Sequence, residues 1–420
     1  MCNYHKMWGI VEENIPHFIF ALVENIVLLT IYSAQITTTY LLVVIILLIV
    51  YIAYFCIQIF LSVNNLLPEI ALPADKKKRR AIALWLLAGV AMIIIQTLLG
   101  GVTRLTGSGL SITKWNPLFG ILPPLNAKQW NDAFDGYKQI GQFKYMNSGY
   151  TLEDFKSIFF WEWLHRFWAR MLGIVFAVGF VYFLLKKYFD AWMVRPFVIL
   201  FLLGGLQGLI GWVMVASGLN DSHLYVDHIK LAAHFVSAMI LACYTLWFAL
   251  ILLIPPEKRI AGKKLNTFTV VIILLLFIQL TYAAFMAGLK AAMAAATWPT
   301  INGMWWPDGL LARSFVNDKI AVHFMHRGIA YILLALLAFW FVSASRKAAK
   351  YPATALKTTR WWPLLLVALQ VTLGIVTVLC APMIVPGKFG AFEILAESHQ
   401  LVAMFLLMSL VVNLYVVRRS

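Results

Sequence analysis

LLGGLQGLIGWVMV, residues 202–215, recurs 163 positions later as LLVALQVTLGIVTV, residues 365–378, which lays Gln207 over Gln370 and Gly211 over Gly374. Upstream, WLHRFWARMLGI (163–174) lies over FMHRGIAYILLA (324–335) at an offset of 161. Self-similarity at a nearly constant spacing marks a duplicated structural unit. The repeated segments are almost wholly apolar, and the 420-residue chain shares that character: 62% of residues are hydrophobic and 12% charged, against about 25% charged in an ordinary soluble domain. The duplicated unit is therefore a set of membrane spans.

Working outward, apolar runs of spanning length fall at 40–62, 81–101, 158–185, 196–217, 229–254, 266–288, 319–344, 361–382 and 398–417; about 20 residues suffice to cross a bilayer. The segment 18–32 is shorter and carries Glu24 and Asn25, so it reads as an interfacial helix in preference to a tenth span. The start, Met1 to Glu13, contains acids and has no apolar core, unlike a cleaved signal peptide. Cys2, Cys56, Cys243 and Cys380 are scattered, with no CxxC pair and no disulfide framework.

The net charge of +16 has a local explanation. Lys76–Arg80, Lys186, Lys187 and Arg195, Lys258–Lys264, Arg346–Arg360, and Arg418 with Arg419 place a basic cluster on every second loop. That side is cytoplasmic by the positive-inside rule, and no nucleic-acid partner is implied. The intervening loops, such as 104–156, are longer and rich in Trp, Gly and Pro, and face the periplasm or its organellar equivalent. The expected fold is an all-α polytopic membrane protein: two pseudo-symmetric four-helix bundles, residues 76–255 and 256–420, preceded by an extension, 1–75, with one or two further hydrophobic helices.

Four of the nine histidines occupy repeat-related positions, His165 with His326 and His234 with His399. In this topology each lies within the first two turns of a helix entering from outside. Within a half, the two helices run parallel and diagonal to one another. Two imidazoles facing across a bundle axis suit the axial positions of a haem iron. The plainer alternative is interhelical hydrogen bonding. Zinc fits poorly, since each half offers no third or fourth ligand. The halves differ one helical turn before the first histidine: Glu162 precedes His165, whereas His323 precedes His326. A carboxylate at that place can carry a proton or stabilise a developing cation, or simply pair with Arg166. Gln207 and Gln370 read as interhelical hydrogen-bonders, and Trp115 and Trp298 as interface anchors or pocket lids.

GGVTRLTGSGLSITKWNP (100–117), EWLHR (162–166), LAAH (231–234), AGLKAAMAAATWPTINGMWWP (287–307), FMHR (324–327) and ESHQ (397–400), in this order across residues 80–420, resemble haem A synthase, closer to the branch of mitochondria and many Gram-negative bacteria than to the Bacillus type. The resemblance implies oxidation of the C8 methyl of haem O, through a hydroxylated intermediate, to the formyl group of haem A for terminal cytochrome oxidases. It implies haem B ligated by His326 and His399, with haem O or haem A between His165 and His234, and an essential glutamate at Glu162. It implies a bacterial inner-membrane location with the haem sites near the periplasmic side. Haem O synthase, an electron donor of ferredoxin or quinol type and membrane lipid are the implied partners, with room for a homo-oligomer.

Arg104, Arg166, Lys290 and Arg327 are candidates for the haem propionates, or else interfacial residues whose charged heads reach for water. The chain departs from the family in its first 75 residues, in His228 and His323, and in lacking an outer-loop cysteine pair that some members carry. A dihaem b-type electron carrier is the competing function. A transporter is the weaker third reading, because its repeats would come with broken spans.

Overall fold

A computed structural model describes residues 76–114, 120–220, 223–385 and 389–418; the hydrophobic segments at 18–32 and 40–62, and Trp115, lie outside the described residues. The helices are α1 (Lys76–Leu105), α2 (Ala127–Lys138), α3 (Gly141–Met146), α4 (Leu152–Leu185), α5 (Ala191–Ala216), α6 (His228–Leu253), α7 (Lys263–Gly288), α8 (Lys319–Lys350), α9 (Leu356–Thr359), α10 (Trp361–Leu379) and α11 (Ala391–Val416). All but α2 and α3, with α9 running on into α10, make up eight helices long and apolar enough to cross a membrane. A helix satisfies its own backbone where lipid offers no partner, and the chain is an integral membrane protein.

The helix that carries each paired histidine has a side-chain cap at its N-terminal end. Thr151 and Asp154 form a capping box on α4. Asp227 accepts from the backbone N–H groups of Ile229 and Lys230, at 3.1 and 2.9 Å. Asp318 does the same for Ile320 and Ala321, both at 2.9 Å, and Glu393 accepts from Gly390 N–H at 2.9 Å. Such caps satisfy orphan donors and complement the positive end of the helix dipole. They also begin α4 and α11 six and seven residues before the apolar runs at 158 and 398. His234, His326 and His399 thus stand six, seven and eight residues past their helix starts, at about the second turn, whereas His165 stands thirteen past its own.

In the N-terminal half α1, α4, α5 and α6 form a ring with α4 and α6 on its diagonal; α7, α8, α10 and α11 repeat it with α8 and α11 on the diagonal. The rings meet along α6, which packs on α7 and α11, and along α11 against α1. Consequently α6, α7 and α11 are buried over most of their length, while α4, α5 and α10 turn apolar side chains such as Val178, Leu202 and Leu365 outward, as lipid contact requires. Inside the C-terminal ring, fully buried Asn413 exchanges hydrogen bonds with Thr359, at 2.8 and 3.0 Å, in keeping with the cost of an unpartnered amide in lipid.

Gln96 of α1 corresponds to Gln279 of α7 at an offset of 183, but His165 to His326 at 161. The 22 residues of difference lie in the loop between α1 and α4, where α2 and α3 fold over the mouth of the N-terminal ring. Phe134, Tyr137 and Ile140 bury against Leu110, Phe155 and Phe159, so the N-terminal end of α4 is the platform for this lid. Tyr137 donates to Gln142 Oε1 at 3.0 Å, and burial pushes its hydroxyl up to about 12. Gln142 in turn reaches the carbonyls of Gly107 and Leu224, at 3.3 and 3.4 Å, which ties the lid to both neighbouring loops.

The basic loops converge at the other end, where Lys78 Nζ reaches Lys187 O at 3.3 Å, Ala355 N–H donates to Lys258 O at 3.0 Å and Ile260 N–H to Val416 O at 2.9 Å. Reporter fusions after Lys187, Lys264 or Lys350 are expected to report cytoplasm and fusions at Asn131 or Asn302 the outer compartment. A cytoplasmic signal at Asn131 inverts this topology.

Candidate functional site

The repeat-related histidines come together in pairs at the ends of the two rings remote from the basic loops. The rings of His326 and His399 lie 6.3 Å apart between centroids, inclined at 71°. Two imidazoles binding one metal from opposite faces, at about 2 Å each plus about 1.2 Å from nitrogen to ring centre, have centroids about 6 Å apart. The C-terminal pair therefore fits a haem iron. His165 and His234 lie within electrostatic range of each other across the N-terminal ring. Among the described residues no group of three or more His, Cys, Asp or Glu gathers in a way that would hold a metal ion. Two protein ligands per half suit a metal whose other ligands come from a macrocycle.

Each of the four imidazoles meets a glutamine of the preceding spanning helix. Gln96 Nε2 is 3.2 Å from both ring nitrogens of His165. Gln207 and Gln279 Nε2 are each 3.1 Å from Nδ1, of His234 and His326 respectively, and Gln370 Nε2 is 3.1 Å from Nε2 of His399. One turn beyond the glutamine stands Gly100, Gly211 or Gly374, and in the fourth case Ala283. A Cβ on those glycines would come within 3.0, 2.7 and 2.9 Å of Cε1 of His165, His234 and His399, so the missing side chain makes room for the ring. The interhelical hydrogen bonding expected of Gln207 and Gln370 is directed at the histidines themselves. Gln96 and Gln279 escaped the sequence reading because their repeat offset differs from that of the other helices.

Glu162 is 2% exposed, and every oxygen is engaged. Oε1 pairs with Arg166 at 2.5 Å, while Oε2 accepts from the Ser111 hydroxyl at 2.7 Å and from Ile112 N–H at 2.8 Å. Arg166 also donates to Ile112 O at 3.1 Å. The other half repeats the scaffold with different chemistry. His323, 1% exposed, donates to Ala291 O at 3.1 Å, and Arg327 donates to Ala295 O and Thr300 O at 2.7 and 3.2 Å. At the α1–α7 offset, Ile112 falls on Ala295, and Ser111, the hydroxyl partner of Glu162, falls on Ala294. Gly107 falls on Lys290, and both have the left-handed backbone, φ 71° and 51°. Each half therefore clamps the loop after its first helix with residues i and i+4 of its second, and only the N-terminal clamp contains a carboxylate.

The other candidate cations lie at the seam between halves. Arg104 ends α1 and donates to Ala287 O of α7 at 3.3 Å. Lys290 Nζ lies 3.6 Å over the Tyr225 ring; burial, aided by Arg104 and Lys319, pushes it down to about 8. Arg166 and Arg327 are held by the loop clamps, yet each guanidinium has five donors, so N–H groups remain for an anion in all three arginines. His228 opens α6 and packs edge-on against Phe285, centroids 5.6 Å apart. Glu397, not foreseen as a site residue, accepts from Gln400 Nε2 at 3.1 Å, and Gln400 donates across the seam to Thr97 O at 3.2 Å. Its carboxylate lies where a Cβ on Gly101 would be, so α1 and α11 touch only because that residue is glycine. Among the described residues, Cys243 and Cys380 are not joined in a disulfide.

Fold and site together define a duplicated eight-helix membrane protein with paired histidines at one end of each of its two rings. The chain belongs to the COX15-CtaA family of cytochrome oxidase assembly proteins, whose model matches residues 83–411. Among its curated relatives, the heme A synthase of Parvibaculum lavamentivorans is 39% identical over 346 residues, 81% of this chain and 95% of that one. The heme A synthase of Flavobacterium johnsoniae is 35% identical over 350 residues, 81% and 98% of the two chains. That of Rhodopseudomonas palustris strain CGA009 is 39% identical over 320 residues, 74% and 84%.

Proposed function

We propose that this chain is a haem A synthase, an oxidoreductase that converts the C8 methyl of haem O, through a hydroxylated intermediate, to the formyl group of haem A. The observation that carries the reading is the asymmetry of the two clamps: the same scaffold holds a buried carboxylate, Glu162 with Ser111, in one half and His323 with Ala294 in the other. A pure electron carrier has no use for that difference. His326 and His399 would hold haem B, which supplies one-electron transfer when bound. His165 and His234 would orient the substrate macrocycle beneath the α2–α3 lid, which excludes water from it. Glu162, one turn from His165, would take or hold a proton, or stabilise positive charge at the methyl carbon. Arg104, Lys290 and the free N–H groups of Arg166 and Arg327 are the donors available to propionates.

The alternating loop charge supports a bacterial inner-membrane location with both sites toward the periplasm. In that setting haem O arrives from haem O synthase through the lipid, and the methyl is oxidised by two successive hydroxylations, each taking one oxygen atom from dioxygen and reducing the other to water with two electrons from a ferredoxin-like protein or a quinol. Acid-acetone extraction of the purified protein followed by chromatography is expected to yield haem B together with haem O, its hydroxylated derivative or haem A. Haem B alone would instead identify a dihaem b-type electron carrier.

A further inference from the structure

An imidazole that ligates through Nε2 needs its lone pair there, so the neutral ring carries its proton on Nδ1 and benefits from an acceptor at that atom. A donor facing Nδ1 favours the opposite tautomer and weakens the ligand. The four glutamines are not equal in this respect. The Oε1 atoms of Gln96, Gln279 and Gln370 are buried without a partner, so a half-turn of the amide hands His165 and His399 an acceptor, whereas for His326 the same turn first breaks one bond, from Gln279 Nε2 to His326 O at 2.9 Å. Gln207 is held at both ends: its Oε1 accepts from the Ser237 hydroxyl at 2.5 Å, and its Nε2 donates to His234 O at 2.9 Å while facing His234 Nδ1 at 3.1 Å. The residue three positions after the histidine is Ser237 in this case alone; the other three are Trp168, Ile329 and Val402.

We propose that Ser237, by holding the Gln207 amide with its donor toward His234, makes His234 the releasable ligand of the four, so that the N-terminal pair exchanges its macrocycle while the C-terminal pair keeps one. Ser237 and Gln207 are positioning residues that act through His234. The inference rests on the N-terminal half being the substrate half. It explains why two seats with the same four-helix frame need different ligand strengths: one must let its product go.

The test uses the full chain in detergent, loaded with two equivalents of haemin and mixed with excess apomyoglobin as haem acceptor, with transfer followed by absorbance. The wild type is expected to lose haem in a fast and a slow phase, and His399→Ala to lose the slow one. Ser237→Val, which installs the residue type of the matching place in the other half, should slow the fast phase about tenfold or more, raise its low-spin fraction and leave the slow phase unmoved. Ser237→Thr keeps the hydroxyl and should behave as wild type. A fast phase unchanged by Ser237→Val, or slowed equally by Thr and Val, overturns the role of the hydroxyl. Loss of the fast phase in His399→Ala places the labile ligand in the wrong half and overturns the proposal as well. A wild-type chain that accepts only one equivalent overturns the reading of the N-terminal half as a second haem seat, a failure visible before any variant is compared.

Discussion

Alanine at His326 or at His399 is expected to abolish stable binding of haem B in the C-terminal half, read as loss of the six-coordinate low-spin b-type spectrum in purified protein. The two rings stand 6.3 Å apart, a separation that serves one iron with two ligands, and among the described residues no third His, Cys, Asp or Glu joins them to take over. Gln279 and Gln370, the polar groups in contact with the rings, are amides and poor iron ligands. His323, one turn away, has its Nε2 donated to Ala291 O, so it is tied to the loop clamp and is not a ready substitute. The double variant His323→Ala/His326→Ala should therefore be no worse than His326→Ala in haem content. An unchanged low-spin spectrum in both single variants would falsify the ligation, and a defect that grows in the double variant would show His323 serving as a reserve ligand.

The parts of this architecture that follow from elementary periodicities were legible in the sequence. Lipid forces each long apolar run to be a helix, alternating Lys and Arg orient the runs, and the repeat fixes which helices correspond. The pairing of His326 with His399 then follows from an up-down bundle, because its second and fourth helices are diagonal. What hydropathy misses are the parts outside the hydrocarbon. Residues 152–157 and 391–397 are polar enough to end an apolar run, yet Thr151, Asp154 and Glu393 cap them into helix, which sets His165 thirteen residues into α4 instead of within two turns. The lid helices α2 and α3, of 12 and 6 residues, are too short to span, so no membrane criterion detects them. Gln96 and Gln279 were hidden for a related reason: the 22 residues gained by the lid loop shift the register of the first helices against the rest of the repeat. The loop clamps were half visible. The Glu162–Arg166 pair at i, i+4 is a helix-face contact that spacing predicts, whereas the hydroxyl of Ser111, fifty-one residues away, is brought to it only by the fold.

Changing Glu162 separates an enzyme from a cytochrome that shares its frame, and the expected effect is larger than for any other single residue in the N-terminal half. A Glu162→Ala protein should insert and retain haem B on His326 and His399, since the C-terminal clamp is built from His323 and Arg327 and does not involve Glu162. It should nevertheless make little or no haem A, with the ratio of haem A to haem O falling on the order of 100-fold or more, the usual scale for a positioned proton-transfer group. The contacts of Glu162 complicate that variant. Removing the carboxylate leaves Arg166, the Ser111 hydroxyl and Ile112 N–H without their acceptor, a loss of about 3 to 5 kcal/mol for a broken buried ion pair, so the loop over the substrate half loosens together with the chemistry. Glu162→Gln distinguishes the two. The amide keeps the volume and one acceptor oxygen, enough to hold either Arg166 or the Ser111–Ile112 pair, but it carries no charge and does not take up a proton near neutral pH. If the carboxylate acts on the substrate, Gln is as inactive as Ala although its thermal stability is closer to wild type. If Glu162 only fastens the loop, Gln keeps a near wild-type haem A to haem O ratio while Ala loses both product and stability. The measurement is that ratio in cells dependent on each variant, normalised to protein level, beside the melting temperature of the purified proteins. Wild-type ratios in both variants would remove Glu162 from the chemistry and leave the asymmetry of the two clamps without a catalytic meaning.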